Sequence, residues 1–300
     1  MRKTGFDYVN GKRVIAALFI FSLAVVLTAR AQAPADPAEV IAQANVLADQ
    51  EKFKEANDLL LKLAQTNPDH PDVYWEISQN YYDIGERIDI KKDKNGKMAM
   101  YKKAEEWAKK GLAKNPKLAD NAFWLAVALS QQAQTQGIAS TLMNDRTLAK
   151  RIEQYYLQAA NAKEFHYKDT NSNTVASANF ALGQFYRKIP ESTIVGMLMG
   201  TKGDIEKSVK HCRIAVKMFP NNIEFQKELG VSLLCRGTRK DDPKSTAEGK
   251  AVLNGVLKMK PENALDRQDI ADAKRLIADP SLACGYSRVQ QEEVSDSNFK

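Results

Sequence analysis

Apolar residues recur at helical spacing along most of the chain, and small residues interrupt them at regular places. In residues 203–222, GDIEKSVKHCRIAVKMFPNN, the small Ser208 and Ala215 flank the larger Cys212, and Pro220 closes the segment. Small side chains let two helices approach closely, and proline cannot continue a helix. The pattern therefore predicts the second helix of a helix hairpin.

The same arrangement occurs three more times, which indicates a repeat of about 34 residues rather than one amphipathic helix. Its key positions are Ala56, Leu60 and Pro68; Ala104, Ala108, Gly111 and Pro116; and Gly249, Leu253, Val256 and Pro261. The distance from Pro116 to Pro220 leaves room for a further unit without a terminal proline. The spacing predicts helix pairs at 38–68, 71–116, 119–165, 176–220 and 223–261, with a capping helix at 264–278.

The predicted fold is all-α, a tetratricopeptide-like solenoid over residues 38–279, with a disordered tail at 280–300. The N-terminus has a different pattern. A basic start, an uncharged apolar run at residues 14–29 and the small Ala29 and Ala31 predict a signal peptide at 1–31, then a linker at 32–37. We therefore expect an exported, periplasmic protein of a bacterial envelope. The alternative is an uncleaved N-terminal membrane anchor, and in that case residues 14–29 would be the membrane contact.

The net charge is small once residues 1–31 are excluded. The net charge is +7, but residues 1–31 hold five basic residues and one acid, so the remainder carries about +3. This balance does not favour a nucleic-acid partner. Of the three cysteines, Cys212, Cys235 and Cys284, at least one must be unpaired, and the sequence leaves their pairing open.

Candidate chemistry is sparse. The three histidines, His70, His166 and His211, are isolated, and none forms a metal-binding pair at helical spacing. No glycine-rich phosphate loop or nucleophile motif is present. We expect a protein that is not an enzyme and that uses neither a metal nor a cofactor.

Binding has better support, because the first helix of each pair lines the inner surface of such an array. The inward positions predict a groove with an aromatic stripe that ends in basic residues, suited to an extended peptide or an acidic amphiphile with an apolar tail. The alternative is that these aromatic residues are core, because Phe123 and its neighbour Trp124 cannot both face a groove. The predicted groove residues are Trp75, Gln79, Tyr82, Phe123, Val127, Phe180, Gln184, Arg187 and Lys227.

Two apolar inserts, residues 137–143 and 192–200, separate the helices of two pairs. They either fold back to extend the core or form a pocket or contact surface. Their candidate surface residues are Ile138, Leu142, Met143, Ile194, Met197, Leu198 and Met199.

The order of these units resembles one family, the regulators of microtubule dynamics and their bacterial relatives, over about residues 70–278. The segments that carry the resemblance are VYWEIS (73–78), YKKAEEWAKKGLAKNP (101–116), FWLAVALS (123–130) with QGI (136–138), FALGQFY (180–186) and the segment 203–222. The resemblance implies a helical scaffold without known catalysis, linked to microtubules in the animal members.

Three functions are consistent with the sequence. The first is a non-catalytic envelope scaffold for a protein or peptide partner. The second, implied by the family resemblance, is a membrane-tethered microtubule-associated scaffold. The third is a periplasmic carrier of small apolar ligands that uses the two Met-rich inserts and is linked to a transporter, as a fainter resemblance to periplasmic repeat proteins that accompany transporters implies.

Overall fold

The computed structural model describes residues 36–137 and 144–287. All described residues belong to one compact unit, which starts at Asp36. The predicted signal peptide and most of the linker therefore lie outside the described residues. The helices are α1 (Pro37–Asp49), α2 (Phe53–Thr66), α3 (Val73–Arg87), α4 (Lys94–Lys114), α5 (Ala119–Gln136), α6 (Leu148–Ala160), α7 (Thr174–Lys188), α8 (Thr193–Met199), α9 (Ile205–Met218), α10 (Ile223–Lys240), α11 (Pro243–Val256) and α12 (Ala264–Ala278), followed by a 3-10 turn at Pro280–Ala283.

This order confirms the all-α, tetratricopeptide-like fold. The five predicted pairs are α1–α2, α3–α4, α5–α6, α7–α9 and α10–α11, and α12 caps the array. Most helices pack mainly on their neighbours in sequence, but α7 packs mainly on α9, and the short α8 lies against α6. Helices α3, α5, α7 and α10 also contact one another in turn. Within the described residues, the one β-type pairing is an isolated bridge between Lys168 and Asn173.

The small residues of the repeat lie at points where two helices pack closely, as predicted. A Cβ atom added to Gly111 of α4 would overlap the side chain of Asn121 and lie 2.7 Å from Cβ of Tyr74. Gly111 thus lets α4 pack tightly between α3 and α5. In the fourth pair, the Ser208 hydroxyl donates to the Gly183 carbonyl at 2.7 Å, which joins α9 to α7.

Several helix starts are fixed by capping side chains, which satisfy amide groups that lack a partner within the helix. Oδ1 of Asn173 accepts from the amide of Ala176 at 2.8 Å, and Oδ1 of Asn222 accepts from that of Phe225 at 2.9 Å. These caps set where α7 and α10 begin, and both helices contribute to the site described below.

The C-terminal boundary differs from the prediction. Residues 280–287 are folded: Cys284 forms a disulfide with Cys235 of α10, and Tyr286 is buried. The prediction that disorder starts at Pro280 is therefore wrong, because a covalent bond and a buried aromatic ring hold this segment. Residues 288–300 lie outside the described residues. Cys212 is the free cysteine of the three, and it is buried.

No helix in the described part of the chain has the length and apolarity needed to cross a membrane.

Candidate binding cavity

A cavity of about 390 Å³ opens on the side of the array formed by α3, α5, α6, α7 and α10. This volume is in the range of small-ligand pockets. Eight aromatic side chains dominate its lining: Tyr82, Phe123, Trp124, Tyr156, Tyr167, Phe180, Phe185 and Phe225. Aliphatic residues complete the apolar wall, chiefly Val127, Leu148, Ile152, Ile189 and Met199.

The aromatic rings hold one another in place. Tyr82 lies 5.4 Å from Trp124 between ring centroids, and Trp124 lies 5.2 Å from Phe123 in an edge-to-face arrangement. On the other side, Phe180 and Phe225 are 5.3 Å apart. Such pairs restrict ring motion, so the apolar surface is preformed rather than created by a ligand.

Amide and hydroxyl groups interrupt this apolar wall. Nε2 of Gln184 donates to Glu228 at 3.3 Å, and the hydroxyls of Ser130 and Tyr156 are 3.2 Å apart. Burial raises the pKa of Tyr156 to about 12, so its hydroxyl stays neutral. The side chains of Gln79 and Ser177 also line the cavity and make no hydrogen bond to any other described residue. They can serve a ligand as donors and acceptors.

The loop at residues 161–173, between α6 and α7, forms one rim of the cavity. The buried carboxylate of Asp120 accepts from the amides of His166 at 2.9 Å and Tyr167 at 3.1 Å. Nδ1 of His166 lies 2.6 Å from Oδ1 of Asp72, at the start of α3. At the other end, Asn222 donates to the carbonyl of Asn171 at 2.9 Å. The loop is thus tied to the second, third and fifth pairs.

Six of the nine predicted groove residues line this cavity: Gln79, Tyr82, Phe123, Val127, Phe180 and Gln184. Phe123 and Trp124 both line the cavity, and both also pack against the buried core between α5 and α6. The space is wide enough for an arc of α5 that includes two consecutive residues.

Trp75 lies behind the cavity instead of in its wall. Its side chain is buried, and its indole Nε1 donates to Asp72 at 3.0 Å. Its ring packs edge-on against Tyr167, with centroids 6.2 Å apart. Trp75 therefore supports a lining residue of the 161–173 loop without lining the cavity itself.

Arg187 and Lys227 are not groove residues, which corrects the predicted basic end of the stripe. Both side chains are fully buried. Arg187 forms an ion pair with Glu228 at 2.8 Å and donates to three carbonyls of residues 283–286. Lys227 pairs with Asp269 at 2.6 Å. In a regular repeat these two positions would face an open groove, but here the C-terminal segment covers them.

The insert residues separate into three groups. Met199 is buried and lines the cavity, whereas Ile194, Met197 and Leu198 are exposed. Ile138, Leu142 and Met143 lie outside the described residues. The second insert therefore both closes the cavity and presents apolar side chains to solvent.

Five of the eight aromatic residues were not predicted from the sequence: Trp124, Tyr156, Tyr167, Phe185 and Phe225. Tyr156 comes from a second helix and Tyr167 from a loop, so a rule based on first-helix positions cannot find them. The remaining three are neighbours of predicted positions, and a wider arc of each first helix would have included them.

Within the described ranges, no group of three or more histidine, cysteine, aspartate or glutamate side chains could hold a metal ion. Nδ1 of His211 is hydrogen-bonded to Oδ1 of Asn179 at 2.8 Å, and burial lowers the pKa of His211 to about 4. Burial raises the pKa of the Cys212 thiol to about 12. A neutral imidazole and an unreactive thiol are consistent with packing roles for this adjacent pair.

One protein-family model matches part of the chain. The model of the regulator of microtubule dynamics proteins 1–3 matches residues 40–169, which contain most of α1, all of α2 to α6 and most of the 161–173 loop. The chain resembles this family. The match includes the α3, α5 and α6 walls of the cavity and ends before α7 and α10. No curated protein matches the chain in sequence.

Comparison with solved structures finds similar helical architectures. A monomeric IFIT1 mutant with m7Gppp-AAAA has a TM-score of 0.51 at 13% identity, over 83% of this chain and 48% of that chain. PilF of Pseudomonas aeruginosa has 0.48 at 12% identity, over 83% and 88%. YrrB, titled a TPR protein with an unusual peptide-binding site, has 0.43 at 15% identity, over 80% and 93%. At 13% identity, the likeness to the IFIT1 mutant concerns the helical architecture alone.

Proposed function

We propose that this protein is a non-catalytic scaffold that binds an apolar segment of a protein or peptide partner in the aromatic cavity. The observation that carries the proposal is the convergence of eight aromatic side chains from four helix pairs and a loop on one preformed space. Aromatic anchors in preformed pockets supply much of the affinity of protein interfaces.

The polar groups favour a peptide over a purely apolar molecule. The Gln79 amide can both donate and accept, and the Ser177 hydroxyl stands on the facing helix α7. A peptide bond offers the matching donor and acceptor beside an apolar side chain. A small apolar ligand would leave these groups without partners, at a cost in affinity.

A carrier of small apolar ligands is the second candidate, because the cavity has the volume of a ligand pocket and an aromatic lining. Native mass spectrometry of gently purified protein distinguishes the two. A co-purifying small molecule favours the carrier, and a clean apo mass with peptide binding favours the scaffold.

We also propose that the protein is exported to the bacterial envelope. The Cys235–Cys284 disulfide supports this location, because such bonds persist in oxidising compartments. The predicted signal peptide supports it independently. N-terminal sequencing of the protein from fractionated cells tests it. A cytosolic chain with an intact N-terminus that co-sediments with microtubules would support the family's microtubule role instead.

The binding proposal is tested by filling the cavity. Val127→Trp places a large side chain on its α5 wall, and Val46→Trp is the control at an exposed position of α1. We expect Val127→Trp to weaken binding of an apolar fluorescent dye and of peptides selected on the wild-type protein by at least about tenfold. Val46→Trp should bind as the wild type does.

Gln79→Ala provides a second variant that leaves the apolar wall intact. It should weaken the selected peptides and leave dye binding unchanged, because the dye does not need the amide. Circular dichroism checks that each variant is folded. Equal peptide affinities for Val127→Trp and the wild type would overturn the proposal.

A further inference from the structure

The short helix α8 presents an exposed apolar tip. Ile194, Met197 and Leu198 are 68%, 77% and 50% exposed. On the opposite side, the buried Met199 packs with Ala149 and Ile189. Because Met199 fixes the helix against α6 and the end of α7, the three exposed side chains are held towards solvent.

Two lysines lie directly against this tip. A Cβ atom at Gly196 would lie 3.5 Å from Cβ of Lys202, and one at Gly200 would lie 3.1 Å from Cδ of Lys150. The absence of side chains at both glycines therefore lets the aliphatic stems of the lysines pack on the α8 backbone. Both lysines are exposed, and because their stems start at the α8 backbone, their ammonium groups lie within one side-chain length of the apolar tip.

The positive charge there is not neutralised. Among the ion pairs of the described residues, none involves Lys150 or Lys202. The acids of the same region already have partners: Asp145 pairs with Arg151, and Glu191 with Arg239 and Lys240. The tip thus combines exposed apolar side chains with uncommitted cations.

We propose that α8 docks on an anionic lipid surface, with the three apolar side chains entering the interface and the two lysines contacting lipid headgroups. Apolar side chains next to lysines are the chemistry of such interfacial segments. A protein partner fits less well, because a specific interface buries about 800 Å² on each side, more than three side chains provide. A fluid bilayer can accept a small protruding tip.

A fluorescent probe on the tip tests the proposal in the full chain. Met197→Cys is labelled with a polarity-sensitive dye, and Leu265→Cys on the exposed face of α12 is the matched control. The native cysteines do not compete, since Cys212 is buried and Cys235 is bonded to Cys284. The labelled proteins are mixed with vesicles of phosphatidylcholine, with or without phosphatidylglycerol.

We expect a blue shift of the probe at position 197 with anionic vesicles, and none at position 265. Lys150→Glu with Lys202→Glu should reduce the shifted fraction at least about fivefold. Lys210→Glu with Lys217→Glu, the same charge change on exposed lysines of α9, should leave it unchanged. No shift at position 197, an equal shift with neutral vesicles, or an equal shift at position 265 would each overturn the proposal. Because the probe reports local immersion, attachment through residues 14–29 alone does not produce the expected pattern.

Discussion

Nε of Arg187 lies 2.8 Å from Oε1 of Glu228, and both side chains are completely buried. The two residues join α7 to α10, and the same guanidinium donates to the carbonyls of Ala283, Cys284 and Tyr286. One arginine therefore connects the fourth pair, the fifth pair and the C-terminal segment.

Arg187→Met should lower the free energy of unfolding by about 3–5 kcal/mol, because it leaves the Glu228 carboxylate buried without its cation. The control is Arg213→Met, which removes an exposed pair with Glu248 of similar length, 2.7 Å. That change should cost about 1 kcal/mol or less. Urea denaturation measures both. Equal losses for the two variants would contradict a stabilising role for the buried pair.

Reduction of the Cys235–Cys284 disulfide should lower the free energy of unfolding by about 4 kcal/mol, the entropic value for a loop of its length. The two cysteines are 49 residues apart. Urea midpoints with and without a thiol-free reductant measure the effect. Cys284→Ser should be destabilised already and insensitive to reductant, and a midpoint of the wild type that does not move would count against the assignment.

Gly111→Ala should destabilise the protein by about 1–3 kcal/mol, since the added methyl overlaps Asn121 and approaches Tyr74. Gly255→Ala on α11 is the matched control, because a Cβ there meets no atom within 4 Å. It should be neutral or stabilising by up to about 1 kcal/mol. Thermal unfolding compares the two. The same sign of change in both variants would show that the crossing at Gly111 is not tight.

The buried carboxyl of Glu76 should make stability depend on pH. Burial raises its pKa from 4.5 to about 8, although a hydrogen bond from Asn45 opposes the shift. Between pH 4.5 and about 8, Glu76 is ionised in the unfolded chain but still protonated in the folded protein. The free energy of unfolding therefore falls as the pH rises through this range.

Glu76→Gln should therefore stabilise the protein by about 2 kcal/mol above pH 8 and change little near pH 4. Glu55→Gln on the exposed face of α2 should have no such effect. Denaturation series at several pH values measure the difference. A constant offset between Glu76→Gln and the wild type at all pH values would contradict the raised pKa.

The repeat units were predictable because their signals are local. Small residues such as Gly111 and Ser208 mark helix crossings, and Pro116 and Pro220 mark the ends of units. These features act within about one helix pair. For this reason the five pairs and the capping helix follow from spacing alone.

The cavity was predictable only in part, because part of its environment comes from distant segments. Inward positions on α3, α5 and α7 could be identified from helical phase. The same reasoning assigned Arg187 and Lys227 to a groove, yet Glu228, Asp269 and Tyr286 enclose them. No periodic pattern links those partners, and neither the disulfide nor the 161–173 loop has a local signal.

The contacts of Arg187 also set an order for biogenesis. Its three carbonyl acceptors are separated from it by almost a hundred positions, so they are missing until translation or translocation is nearly complete, whereas Glu228 is available earlier. Until the polypeptide has emerged as far as Tyr286, the fourth and fifth hairpins must enclose a guanidinium group that is paired with Glu228 but lacks its carbonyl acceptors. The fourth and fifth hairpins therefore reach their final packing late. Assembly that proceeds hairpin by hairpin from the N-terminus cannot complete them before the C-terminal segment is present.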